Sequence, residues 1–209
     1  MSNSTQPTRR PAINRRKFLY ATTAMVGGLG AVMATWPLLD QMNPDARVRA
    51  AADTVGVDLA DLRPGGLRKV LWYGYPIFVV RRTAAMLEAM RDRAFVAQLV
   101  DPDSQARQQP SYAKNWHRSI KPAFAVLAGV CTACGTLPTY QAEASDLGMA
   151  GGYVCPFCAS HYDPAGRAYS GISRYNLPVP PHDYVARFEI VLGMNASDDN
   201  FSLASVERI

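Results

Sequence analysis

Two short stretches decide the fold: GVCTACGTLPTY, residues 129–140, and GGYVCPFCASHYD, residues 151–163. Each carries a Cys-x2-Cys pair, and 20 residues separate the two pairs. Two intervening residues let a tight turn direct both sulfurs of a pair to one point, and two such turns facing each other complete a tetrahedral four-thiolate site. The spacing therefore predicts a metal site formed by all four cysteines of the chain: Cys131, Cys134, Cys155 and Cys158.

The cysteine pattern leaves the occupant of this site open. Zinc, a single iron ion and a two-iron cluster all accept four thiolates, and disulfides are the competing interpretation for a domain outside the cytoplasm. Gly135 favours the metal turn, because such a turn needs a residue that tolerates positive φ. His161, three residues after Cys158, is a candidate extra ligand. His117 and His182 lie outside both turns and are expected on the surface or in loops.

The positive charge of the chain is concentrated at its N-terminus. The 209 residues are 48% hydrophobic, which suits one mid-sized domain, and carry a net charge of +5. Residues 1–17 hold five basic and no acidic side chains, so the rest of the chain is neutral overall. This distribution disfavours a nucleic-acid-binding protein.

Residues 18–39, FLYATTAMVGGLGAVMATWPLL, contain no charge. As a helix they would span roughly 33 Å, close to the thickness of a bilayer core. The segment is longer than the apolar stretch of a cleaved signal peptide, and Trp36 near its end suits a membrane interface. We predict a single retained transmembrane anchor in the bacterial cytoplasmic membrane, with the basic tail of residues 1–17 in the cytoplasm and the C-terminal domain in the periplasm. Arg15-Arg16-Lys17-Phe18-Leu19 is typical of a twin-arginine export signal.

The chain beyond the anchor divides into a linker and a domain. Residues 40–66 are predicted to form a linker or hinge, since Asn43-Pro44 disfavours continuation of the helix. Residues 67–209 are β-rich, with short apolar runs such as 124–130 that suit buried strands. The sequence therefore predicts one anchored, mainly β domain.

Two local patterns open this domain. The runs 67–73 and 76–81 flank Gly74-Tyr75, which predicts a β-hairpin. Thr83 is typical of an N-cap, and the apolar spacing after it predicts a helix from Ala84 to about Leu99.

The two cysteine segments and their flanks resemble the two boxes of the Rieske iron–sulfur proteins. The matching segments are Gly129-Val130-Cys131-Thr132, Pro138-Thr139-Tyr140, Gly151-Gly152-Tyr153-Val154-Cys155-Pro156, Ser160-His161-Tyr162-Asp163, Gly166-Arg167 and Asn176-Leu177-Pro178-Val179-Pro180-Pro181. The twin-arginine segment and the anchor ending in Trp36-Pro37 resemble the bacterial cytochrome bc1 version. The resemblance covers nearly the whole chain and is specific to the iron–sulfur subunit of ubiquinol–cytochrome c reductase.

This resemblance implies a Rieske-like antiparallel β-sandwich with a rubredoxin-like metal-binding subdomain, plus one N-terminal transmembrane helix. It also implies a 2Fe-2S cluster, cytochrome b and cytochrome c1 as partner subunits, and quinol as substrate. The chain would then pass electrons from quinol toward cytochrome c1 within an oxidoreductase complex, with no catalytic residue of its own. Ser160 and Tyr162 occupy positions that donate hydrogen bonds to the cluster region in the family, and Gly135 supports the first turn.

The sequence departs from the family at the ligand positions. The family's boxes read Cys-Thr-His-Leu-Gly-Cys and Cys-Pro-Cys-His-Gly-Ser, and Ala133 and Cys158 stand here at the two histidine positions. Thr136 and Phe157 stand at the positions of the family's disulfide cysteines. A complete four-cysteine set remains in the same two loops, which indicates a site converted to four thiolates. The alternative function is therefore a redox-inactive structural or assembly subunit of that complex, with zinc or an altered iron site held by the cysteines.

Overall fold

The computed structural model describes residues 14–41, 54–144, 149–197 and 200–209. The described chain is mainly β, with all strand pairs antiparallel. Its strands are β1 (Val55–Asp58), β2 (Leu67–Trp72), β3 (Tyr75–Arg81), β4 (Phe124–Ala128), β5 (Thr139–Ala144), β6 (Ala150–Val154), β7 (His161–Tyr162), β8 (Ala168–Ser170), β9 (His182–Ala186) and β10 (Glu189–Leu192). Its helices are α1 (Arg15–Asp40), α2 (Ala84–Ala89) and α3 (Arg93–Val96), with short 3-10 helices at Ser111–Ala113 and Leu203–Ser205.

Helix α1 contains the whole predicted span of residues 18–39. It belongs to a compact unit separate from the one that holds the strands. None of its residues is buried, and within the described residues it is the one helix long and apolar enough to cross a membrane. Pro37 lies inside the helix, close to its end.

The strands form three sheets, ordered β1-β10-β9, β2-β3-β4 and β5-β6-β7-β8. The middle sheet is covered on both faces. Ile77 and Val79 of β3 belong to one hydrophobic cluster with residues of β1 and β10, whereas Phe78 and Val80 belong to another with residues of β6 and β7. Burial on both faces explains why β3 and β4 are continuous apolar runs instead of alternating ones.

The predicted hairpin is confirmed. Strands β2 and β3 pair from Leu67↔Val80 to Trp72↔Tyr75. The turn residues Tyr73 and Gly74 both have positive φ, 51° and 79°, as two-residue hairpin turns of this kind require.

The helix predicted from Ala84 to about Leu99 is wrong in its length. Thr83 does cap it, because its hydroxyl accepts a hydrogen bond from the Met86 N–H. However, α2 ends at Ala89, and the Asp92 carboxylate caps the separate helix α3. An aspartate that satisfies the first N–H groups of a new helix competes with continuation of the old one.

Part of the predicted linker belongs to the sheet domain. Strand β1 lies within residues 40–66, yet it pairs with β10 over the register Val55↔Leu192 to Asp58↔Glu189. Val57 is buried in the cluster that β1 shares with β10. The ordered domain therefore begins before residue 67, because this pairing buries one face of β1.

Candidate metal centre

The first cysteine loop, residues 131–136, connects β4 to β5. The Cys131 N–H donates to the Thr136 carbonyl at 2.7 Å, and the Gly135 N–H donates back to the Cys131 carbonyl at 2.8 Å. Gly135 has φ +73°, and no atom lies within 4 Å of the position its Cβ would take. The glycine is therefore needed for its backbone conformation and not for space.

The second cysteine loop, residues 155–160, connects β6 to β7 and repeats the same pattern. The Cys155 N–H donates to the Ser160 carbonyl at 2.9 Å, and the Ala159 N–H donates to the Cys155 carbonyl at 3.0 Å. Ala159 takes the place that glycine has in the first loop, with φ +50°. Positive φ is unfavourable for a residue with a Cβ, so the closed loop holds Ala159 against a local preference.

The two loops bring the four cysteine sulfurs together. All four Sγ atoms lie within 4.8 Å of one another. The Sγ atoms of Cys131 and Cys158 are 3.5 Å apart, and those of Cys134 and Cys155 are 3.4 Å apart. These distances are far longer than a disulfide bond, and all four cysteines are free. Each close pair joins one loop to the other.

Backbone and hydroxyl donors surround two of the sulfurs and change their acidity. Burial raises the pKa of Cys155, but hydrogen bonds from Thr136 and from the N–H groups of Cys158 and Phe157 outweigh it and lower the pKa to about 6. Burial dominates at Cys131 and raises its pKa to about 12, against the opposing hydrogen bonds with Tyr162 and with the N–H groups of Ala133 and Cys134. Four sulfurs this close cannot all be thiolates without a cation to offset their mutual repulsion, and a metal ion bound between them would supply that charge.

The residues predicted to support the site lie at it. The Tyr162 hydroxyl is 3.3 Å from the Cys131 Sγ, and the Ser160 Oγ is 3.2 Å from the Cys158 Sγ. His161 is elsewhere: its Nδ1 lies 2.9 Å from the Ala159 carbonyl oxygen, and the close group of ligand atoms consists of the four sulfurs.

Three hydroxyl residues at the site escaped the sequence-based prediction. Thr136 places its Oγ1 3.1 Å from the Cys134 Sγ and 3.2 Å from the Cys155 Sγ, between the two loops. Thr132 links Tyr162 to Ser173, at 3.1 and 2.7 Å. The signal for Thr136 was its position two residues after a cysteine. Ser173 had no local signal, since 41 residues separate it from Thr132.

A third loop, residues 171–175, packs against the second cysteine loop. The Ser173 N–H donates to the Ser160 Oγ at 3.1 Å. Gly171 has φ +89°, and a Cβ on it would lie 2.5 Å from the Ser160 Cα. Only a glycine allows the two loops this close approach.

The expected surface or loop position of His182 is wrong. His182 begins β9 and is 1% exposed, with its Nδ1 2.8 Å from the Pro180 carbonyl oxygen. Burial lowers its pKa to about 4. It therefore belongs to the packed interior and not to the metal centre.

Three exposed apolar side chains, named here the apolar tip, lie on the loops of the site or directly after one of them. They are Leu137, Phe157 and Ile172, exposed by 47%, 81% and 66%. Phe157 lies between the two cysteines of the second loop. Large apolar side chains exposed beside the cysteine loops make these loops a candidate interaction surface.

The fold and site define a class of protein: a β domain that follows a helix suited to a membrane span and presents four cysteines on two facing loops. Residues 2–45 match a family model described as ubiquitinol-cytochrome C reductase Fe-S subunit TAT signal. This match supports the predicted twin-arginine signal.

Relatives extend the comparison over most of the chain. The chain is 42% identical over 184 residues to the ubiquinol-cytochrome c reductase iron-sulfur subunit of Allochromatium vinosum, covering 86% of this chain and 88% of the relative. It is 37% identical over 182 residues to the subunit of the same name from Blastochloris viridis, covering 86% and 92%. The chain therefore belongs to the family of ubiquinol–cytochrome c reductase iron–sulfur subunits, as its resemblance predicted.

A solved structure titled "Hyperthermophilic respiratory Complex III" is also similar to the chain. It is 19% identical, has a TM-score of 0.46, and covers 83% of this chain and 98% of that one. The structural similarity is low, so the family assignment rests on the sequence identity to the relatives named above.

The residues present do not fit the family's histidine-containing cluster. Ala133, at the first histidine position, has no side-chain donor. Cys158, at the second, brings a sulfur to within 3.5 Å of the Cys131 Sγ. The chain thus offers four sulfur donors at this place.

Proposed function

We propose that this chain is the iron–sulfur-type subunit of a bacterial ubiquinol–cytochrome c reductase and takes part in passing electrons from quinol toward cytochrome c1. The observation that carries the proposal is identity of 42% to a subunit of that name over 86% of the chain. Residues 18–39 would anchor it in the cytoplasmic membrane, with residues 1–17 in the cytoplasm and the β domain in the periplasm.

The chain's own residues would hold a four-thiolate centre at the end of the domain. The two cysteine loops fix the sulfurs, and their N–H groups and the hydroxyls of Thr136 and Tyr162 stabilise negative charge on sulfur. Cys134 is exposed, which leaves one edge of the centre open to a partner. No proton-accepting imidazole is available at the two family positions, so quinol deprotonation is not assigned to this chain.

The apolar tip supports docking to a membrane-embedded partner. Phe157 and Ile172 are the most exposed apolar residues of the loops that carry the site or pack against it, at 81% and 66%. Cytochrome b, the subunit through which quinol is expected to react, is the partner we assign to this surface. Cytochrome c1 is the expected acceptor.

The alternative is a structural or assembly subunit of the same complex with no redox activity. The all-thiolate donor set favours it, because plant-type clusters with four cysteine ligands have potentials of about −400 mV, whereas Rieske centres span about −150 to +300 mV. A centre at so low a potential is a poor oxidant for quinol. Zinc in the same site would have no redox couple.

Affinity purification of cytochrome b from native membranes in mild detergent tests membership of the complex. We expect quantitative mass spectrometry to find this chain with cytochrome b. A Phe157→Ser/Ile172→Ser variant should co-purify poorly, because it removes the apolar tip. Val185→Ser is the matched control: Val185 is 52% exposed but lies on β9, in a sheet that does not carry the site.

Absence of the wild-type chain from purified complex would contradict the proposal. Redox titration of the chain then separates the two candidate functions. A reversible one-electron couple supports electron transfer, and its absence supports the structural subunit.

A further inference from the structure

We propose that the four cysteines hold a single tetrahedral metal ion, iron or zinc, in place of the two-iron cluster of the family. The inference concerns only the chain's own sulfurs and goes beyond the proposed function. It starts from the spacing of the Sγ atoms of Cys131, Cys134, Cys155 and Cys158, all within 4.8 Å of one another.

A single ion fits this spacing. At a metal–sulfur distance of about 2.3 Å, the sulfurs of a tetrahedral site are about 3.8 Å apart along every edge. The two closest pairs measured here are 3.4 and 3.5 Å, and they join opposite loops. These two pairs would lengthen by about 0.3–0.4 Å to reach tetrahedral positions, and every other pair is already 4.8 Å or less.

A two-iron cluster does not fit. Its four thiolates divide into two pairs, and sulfurs of different pairs lie about 5 Å or more apart, because two irons and their bridging sulfides stand between them. No division of the four sulfurs into two pairs gives that separation here, since every distance is 4.8 Å or less. The loops would have to open to admit a second iron and two sulfides.

The surroundings oppose such an opening. Thr136 bridges the sulfurs of Cys134 and Cys155 across the two loops. On the other side Tyr162, which contacts the Cys131 sulfur, is tied through Thr132 to the third loop. The hydroxyls of Tyr162 and Thr132 are buried, so separating them is costly.

Each cysteine loop, taken by itself, also has the geometry expected for a single-ion site. Each has a Cys-x2-Cys pair, a closing hydrogen bond to the first cysteine carbonyl, and a residue of positive φ after the second cysteine. Equivalent loops present equivalent sulfur pairs to a common centre, which is what a tetrahedral ion requires. Four thiolates suit zinc and iron alike.

Metal analysis of the full-length chain, purified anaerobically in detergent, tests the proposal. We expect one zinc or iron ion per chain and no acid-labile sulfide. If the ion is iron, the oxidised protein should give a high-spin ferric EPR signal. Two irons with two labile sulfides per chain, or a signal that appears only on reduction, would overturn the proposal, as would a chain that binds no metal.

Cobalt substitution gives a second readout that does not depend on activity. Co²⁺ added to the metal-free chain should produce tetrahedral thiolate absorption that saturates at one equivalent. Cys134→Ser should reduce affinity at least tenfold, whereas His161→Ala, the matched control, should titrate as wild type. Saturation at two equivalents, or loss of binding in His161→Ala with Cys134→Ser unaffected, would refute the single-ion site.

These outcomes are independent of the test of complex membership. A chain that holds one ion but does not co-purify with cytochrome b would contradict only the proposed function. A chain that co-purifies but contains two irons and labile sulfide would contradict only the single-ion inference.

Discussion

Replacing Asp163 by Asn should destabilise the domain strongly, because Asp163 is the carboxylate that offsets a group of buried arginines. Its side chain is 0% exposed and pairs with Arg167, 1% exposed, at 2.6 Å. It also accepts hydrogen bonds from the backbone N–H groups of Ala165 and Arg167. Two more arginines, Arg82 and Arg118, are buried nearby. Burial lowers their pKa to about 10 and about 9, and the charge of Asp163 opposes that shift.

The expected loss in the free energy of unfolding follows from the Arg167 guanidinium, which loses its carboxylate partner. An asparagine still accepts the backbone hydrogen bonds, but its charge is gone, and among the described residues the Arg167 guanidinium keeps the Met90 carbonyl as its hydrogen-bond partner. Removing one partner of a buried ion pair costs about 3–5 kcal/mol. For a domain of this size that corresponds to a fall in Tm of roughly 6–20 °C, at about 2–4 °C per kcal/mol.

Urea unfolding of the full-length chain in detergent, followed by tryptophan fluorescence, measures the free energy of unfolding. The exposed Asp61 provides the matched control, and Asp61→Asn should change it by less than about 0.5 kcal/mol. The double variant Asp163→Asn/Arg167→Met should be more stable than Asp163→Asn alone, since it also removes the guanidinium that lost its carboxylate partner. A loss below about 1 kcal/mol for Asp163→Asn, or a double variant less stable than the single one, would refute the reasoning.

Two further predictions concern local backbone and pH. Gly135→Ala should lower the free energy of unfolding by about 1 kcal/mol, because its φ of +73° disfavours a Cβ although the space is open; unchanged stability in urea would show that the loop relaxes. The His182 contribution to stability should be constant above about pH 6.5 and be lost as the pH drops toward 4, because burial lowers the pKa of His182 to about 4 and protonation favours the unfolded chain. The His182 share is about 3 kcal/mol at about 1.4 kcal/mol per pH unit, so His182→Asn should flatten the curve measured by urea unfolding, and an identical curve would contradict the assignment.

Local patterns predicted the parts of this protein that depend on residues close in the chain. The Cys-x2-Cys spacing and Gly135 predicted the first cysteine loop, since its hydrogen bonds join residues within five positions. The same holds for the hairpin turn at Gly74 and for the cap by Thr83. The uncharged length of residues 18–39 alone predicted a helix suited to a membrane.

The length of the helix after Thr83 was predicted wrongly because two local signals compete there. The apolar spacing after Ala84 favours one long helix, yet Asp92 supplies a second start signal and the helix divides there. The Asp92 carboxylate accepts hydrogen bonds from the first N–H groups of α3 and so stabilises a new helix start locally. One continuous helix would instead depend on burial of its apolar face for stability.

Contacts between distant segments were decided only by the tertiary structure. β1 became a strand because it pairs with β10, more than 130 residues away, and His182 became buried because the sheets close over it. The hydroxyls of Thr136 and Ser173 reach the centre from different loops. The spacing of the four sulfurs, which favours one ion over two, is likewise set by the approach of the two loops. The Cys-x2-Cys spacing determines which two cysteines share a loop. The distance between the two loops depends on how the domain packs, which neither cysteine segment indicates by itself.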